Sequence, residues 1–90
     1  MRAIITVVGK DRIGIIARVS TLLSESRVNI LDISQTILQE YFTMMMLVDL
    51  SDLKTNLQDL RERLSETAKS LDLSITLQHE SVFQAMHRID

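Results

Sequence analysis

The residue types that could bind a small ligand are concentrated in two stretches, Gly9-Lys10-Asp11-Arg12-Ile13-Gly14-Ile15 and Val28-Asn29-Ile30. The first follows an apolar run, Ala3 to Val8, that stops at Gly9; a short polar turn comes next, and then a helix that opens on a glycine. Such a turn presents backbone N–H groups and the positive end of a helix, a combination suited to a carboxylate. Gly14 lacks a side chain, which either lets the helix pack closely on the sheet or lets a ligand approach the backbone. Asp11 can cap the helix or pair with an ammonium group. Asn29 reads as a turn residue at a strand start. Arg12 is solvated or paired with an acidic neighbour, and Asp32 is a further candidate for an amino group.

Other chemistries lack their residues. There is no cysteine, hence no disulfide and no thiolate nucleophile. His79 and His87 fall on different expected elements and do not form a metal pair. No serine stands in a nucleophile-elbow context, so an enzyme is not expected, and no cofactor or metal is implied. Net charge is -2, from 10 basic and 12 acidic side chains. The basic residues are scattered, which argues against nucleic-acid binding through a basic face. No apolar run approaches the ~20 residues that span a bilayer, and the apolar start is short, β-branched and soon charged, unlike a signal peptide. A soluble, cytoplasmic protein without membrane contact is expected.

The elements that must position these residues follow from periodicity. Ala3 to Val8 reads as a central strand. Ile15, Ile16, Val19, Leu22 and Leu23 recur at helical spacing, ending near Ser26. Asn29 to Leu38 is a second strand with broken alternation and a bulge or twist expected near Asp32. Gln39-Glu40 is a two-residue hairpin break. Tyr41 to Leu50 alternates cleanly, with Phe42, Met44, Met46, Val48 and Leu50 on one face. Ser51-Asp52 offers a cap for a helix from Leu53 to about Leu71, whose stripe is Leu53, Leu57, Leu60, Leu64, Ala68 and Leu71. Asp59 and Arg63 add an i,i+4 pair. Leu73, Ile75 and Leu77 mark a fourth strand, and Glu80 to Ile89 a short third helix with Val82, Phe83, Met86 and Ile89 as its apolar residues. The order βαββαβ predicts an α+β, ferredoxin-like sandwich: a four-stranded antiparallel sheet with both main helices on one face. The expected division is a domain over residues 1–80 and a helical extension over 81–90.

Asp11-Arg12-Ile13-Gly14-Ile15 resembles the Asp-Arg-Pro-Gly-Val/Ile signature of ACT domains, and Val28-Asn29-Ile30 resembles their second signature at the start of the second strand. The similarity runs over roughly residues 2 to 80 and is greatest to small stand-alone bacterial ACT proteins. Ile13 stands where the family usually has proline. The resemblance implies a regulatory rather than catalytic domain. A small amino acid would sit at a homodimer interface, within a site drawn from Lys10, Asp11, Arg12, Ile13, Gly14, Ile15, Asn29 and Ile30. Backbone amides of the turn would take its carboxylate, and Asn29 would contact it across the interface. A protein partner would read the bound state; the alternative is a ligand-free dimerisation or adaptor module. With no charged residue matching an acidic or basic ligand group, glycine, serine, alanine or a branched aliphatic amino acid is favoured.

Composition supports the dimer independently. A chain of 90 residues buries only about 60–65% of its unfolded surface. Ile4, Val8, Met45 and Leu47 would face away from the helices, an apolar patch unusual for a monomer; the C-terminal helix can cover part of it, and a second copy can cover the rest or extend the sheet edge to edge. Met44 to Met46 read as core and interface filler.

Overall fold

Strict alternation in Tyr41–Asp49 sorts the sheet into a buried face and an open one. The computed structural model describes residues 1–10 and 13–82 of the chain. Its elements are β1 (Arg2–Lys10), α1 (Ile15–Glu25), β2 (Asn29–Leu38), β3 (Tyr41–Asp49), α2 (Leu57–Leu71) and β4 (Leu73–His79). The sheet is antiparallel throughout, in the order β2-β3-β1-β4. This is the ferredoxin-like βαββαβ arrangement that the element order predicts.

The buried face carries Ala3, Ile5 and Val7 of β1, Phe42, Met44, Met46 and Val48 of β3, and Leu77 of β4. Ile15, Val19 and Leu23 of α1 and Leu60 and Leu64 of α2 close over it in a single core. On the open face Val8 and Met45 remain exposed, while Ile4 and Leu47 are half-buried. The larger exposure lies on edge strand β2, where Ile37 is 60% and Leu38 71% exposed. The register of β2 against β3 shifts between Ile30 and Asp32, so Leu31 is the extra residue of a bulge. Gln39 takes a φ of 56° in the hairpin, a left-handed conformation that glycine or asparagine adopts more cheaply.

Two boundaries differ from expectation. β1 does not stop at Gly9: Gly9 pairs with Phe42 and Leu73, and Lys10 with Tyr41. A Cβ on Gly9 would overlap Leu73 Cδ2 and stand 3.5 Å from the Asp72 carbonyl. Gly9 thus lies within the strand rather than in a turn, with the movable end of the Leu73 side chain where its Cβ would be. The second helix starts at Leu57, not Leu53, and is capped by Asn56, not by Ser51-Asp52. Leu53 still packs on the core, but from a turn in which its N–H donates to the Leu50 carbonyl at 3.1 Å. The Asn56 side chain accepts from Asp59 N–H at 2.8 Å, and Thr55 Oγ1 donates to the Asp59 carboxylate at 2.8 Å. Asp59 also meets Arg63 at 3.1 Å, the expected i,i+4 pair. Asn56→Ala is expected to cost about 1 kcal/mol and so to lower Tm by about 4–8 °C in a thermal melt.

The chain turns helical at 80–82, held by Arg2 Nε on Glu80 Oε2 at 2.7 Å. The rest of the expected third helix, including Phe83, Met86 and Ile89, lies outside the described residues, as does His87.

Candidate functional site

Gly14 is the N-cap of α1, with φ 90° and ψ 0°. Only glycine enters this region without strain. Among the described residues beyond its chain neighbours, nothing lies within 4 Å of where its Cβ would be, so it is not there to let the helix pack tightly on the described sheet. What glycine supplies is the left-handed turn and an open approach to the backbone. The cap position is Gly14, with no side-chain cap bond among the described residues and no acidic residue in the first turn; the expected Asp11 cap lies outside the described residues. The first helical bond is Arg18 N–H to the Gly14 carbonyl at 2.9 Å. Ile13, beside Gly14, is fully exposed, and Ile15 is buried as an anchor in the core. Asp11 and Arg12 lie outside the described residues. Lys10 belongs to β1, not to the turn, and is exposed at the strand end.

Asn29 and Ile30 begin β2, and Asn29 is exposed. Within one chain they are not brought to Gly14. Lys10, Tyr41 and Leu38 are in register at one end of the sheet, whereas Arg2, Asp49 and Asn29 are in register at the other. The 11 residues of α1 separate the two stretches, about 16 Å at 1.5 Å per residue.

Around Asn29 the fold forms an open cleft of about 530 Å³ whose polar walls include Ser20, Ser24, Arg27, Asp49 and Asp52. Sequence reasoning missed these residues. Arg27 was within reach because it adjoins Val28-Asn29, but Asp49 comes to Asn29 only through the β2–β3 register. Asp49 Oδ1 accepts from Ser51 Oγ at 2.6 Å and Ser51 N–H at 2.9 Å, with the Met1 amino group at 3.9 Å. These contacts, the Ser51 hydroxyl first, hold the Asp49 carboxyl below its ordinary value of 3.8. Because the folded pKa is depressed, the associated stability is present above the ordinary carboxylate range and is lost as pH falls through the folded pKa. Ser51→Ala is expected to move the Asp49 pKa back up, read from the pH dependence of its carboxyl carbon shift by NMR.

His79 Nδ1 lies 2.8 Å from Ser81 Oγ. Among the described residues no group of three or more His, Cys, Asp or Glu side chains could hold a metal ion, and no helix is long and apolar enough to cross a membrane.

The βαββαβ sandwich is the fold of ACT domain proteins, which are regulatory domains of the amino-acid-binding type. The chain belongs to the ACT domain family, whose model matches residues 2–78. It is 54% identical over 89 residues to a UPF0237 protein of Clostridium acetobutylicum, covering 99% of this chain and 100% of that one. The solved ACT domain protein from Streptococcus pneumoniae superposes with a TM-score of 0.79 at 48% identity, covering 92% of this chain and 93% of that one. A crystal structure assigned as a glycine cleavage system transcriptional repressor superposes with a TM-score of 0.75 at 27% identity, covering 86% of this chain and 44% of that one.

Proposed function

We propose that this chain is a non-catalytic regulator that binds a small amino acid between two copies of itself and passes the bound state to a protein partner. The observation that carries the reading is Gly14: a left-handed glycine with open space above it, at a helix start that no side chain caps among the described residues. The turn at 13–15 would take the ligand's carboxylate on backbone N–H groups. Its other contacts would come from the second copy. Strand β2 is a sheet edge of ten residues with no proline and no lysine, and it exposes Ile33, Ile37 and Leu38. Natural sheets blunt such an edge or pair it. Antiparallel pairing of β2 with its symmetry mate would bring the start of one β2 to the end of the other. Asn29 of one copy would then lie near the turn before α1 of its mate, completing a site that neither copy contains alone. Ligand binding would order the turn and the interface together, and the partner would prefer one of the two states.

The test is thermal unfolding against the twenty amino acids at millimolar concentration, with the mass in solution measured alongside. A ligand at 100 times its Kd adds about 2.7 kcal/mol, and each kcal/mol moves Tm by about 4–8 °C. One or a few selective upward shifts on a dimer are the expected result. A flat panel on a dimer favours the ligand-free adaptor, a reading supported by the exposed apolar edge of β2 and by Ile13, which leaves the turn freer than proline would. A monomer at tens of micromolar sinks both.

A further inference from the structure

The open face of the sheet carries Ile4, Val8, Met45 and Leu47 on the two central strands, β1 and β3. Neither α1 nor α2 covers it, since both pack on the opposite face. The chain leaves β4 on this open side. Arg2 precedes Ala3, which points into the core, so Arg2 points to the open face. Its Nε lies 2.7 Å from Glu80 Oε2, which ties the residue after β4 to that face. A helix begins at the same place: His79 Nδ1 accepts from Ser81 N–H at 3.0 Å, a bond of the helix-capping kind, and residues 80–82 are helical. So short a helix does not hold without packing. The sequence beyond it supplies an apolar surface. Val82, Phe83, Met86 and Ile89 fall on one stripe at helical spacing, with Gln84 and Arg88 on the opposite side.

We propose that residues 83–89 continue the helix begun at Glu80 and lie across the open face of the sheet, with Phe83 and Met86 over Ile4, Leu47 and Met45. The reach is sufficient. A helix over 80–89 is about 15 Å long, whereas β4 and β3 stand two strand spacings apart, about 10 Å. The occupant is this chain's own terminus rather than a second copy because its start is already held at the rim. A short tether gives an effective concentration of order millimolar, which a second copy at micromolar concentration does not match. The covered face also leaves the apolar edge of β2 as the surface for a second copy, so the two contacts do not compete. No amino-acid ligand is needed for this placement.

The chain has no tryptophan, so Phe83→Trp in the full chain provides a single reporter. The expected result is blue-shifted emission and weak quenching by iodide, both unchanged on dilution. In the wild-type chain the Phe83 ring should show nuclear Overhauser contacts to the methyl groups of Ile4 and Leu47, and in a mixture of isotope-labelled and unlabelled copies these should arise within one chain. Placing Leu47→Gln on the reporter background should red-shift the emission, whereas Gln84→Ser/Arg88→Ser, on the far side of the stripe, should not. Emission of a solvated indole, together with no contact from Phe83 to either methyl-bearing residue, overturns the proposal. Shielding that is lost on dilution, or contacts found only between labelled and unlabelled copies, overturns it in favour of a second copy on the same face. Equal red shifts in the two sets of variants overturn it as well, since the stripe would then have no preferred side.

Discussion

Gly14→Leu is expected to abolish any amino-acid-dependent rise in Tm and to lower the ligand-free Tm as well. The two effects have separate causes. An L-residue at φ 90° pays roughly 1–2 kcal/mol of backbone strain, or about 4–8 °C for each kcal/mol. The lost ligand response comes from bulk placed where the backbone would meet a carboxylate. Packing does not account for it, since among the described residues no non-neighbouring atom lies within 4 Å of the new Cβ. Gly14→Asn separates the two contributions. Asparagine tolerates the left-handed region, so it should keep most of the ligand-free stability and still lose the response. Wild-type ligand response in both variants would remove the turn from the site.

The second large effect lies in the core. Ile5 is fully buried on central strand β1, in register with Met46 on one side and Leu77 on the other. Ile5→Ala removes three carbons from a site that neighbours on both flanking strands and both helices hold in place. The expected cost is about 2–5 kcal/mol, a large share of the ~5–15 kcal/mol that holds a typical domain. A fall in Tm of roughly 10 °C or more should follow in calorimetry. Ile5→Val, which deletes a single carbon, should cost about 0.5–1.5 kcal/mol. If Ile5→Ala melts within 2–3 °C of wild type, the core is not packed as described.

Much of this fold can be read from periodicity because the pattern is local. The alternation Phe42, Met44, Met46, Val48 identifies a face without any knowledge of what covers it, and all four are buried. The break in alternation before Asp32 marks a bulge, and the register shifts there. The start of α2 was misplaced because Leu53 falls on the same stripe as Leu57, and spacing does not distinguish a helical leucine from one packed in the preceding turn. The better signal was Asn56 followed by Asp59, a capping residue with an acid in the first turn. Gly9 misled for a non-local reason: the residues that pair with it and carry β1 past it, Phe42 and Leu73, lie far along the chain. The candidate site divides in the same way. Gly14 as a helix opening is legible in the turn itself. That Gly14 and Asn29 sit at opposite ends of the sheet requires the strand registers, and so does the place of Asp49 beside Asn29.

The strand order has a kinetic consequence. The central strand β1 has no local partner: it pairs with β3 and β4, and its longest-range match joins Ala3 to His79. The one local pairing, the β2–β3 hairpin, forms the side of the sheet that ends in the open edge. Folding must therefore close long loops before the middle of the sheet gains its hydrogen bonds. The hairpin can form early, with its apolar residues waiting for β1. During that interval the edge that the native dimer would use is already exposed, while nothing yet caps its other side, and pairing with a second copy then competes with completing the chain's own sheet.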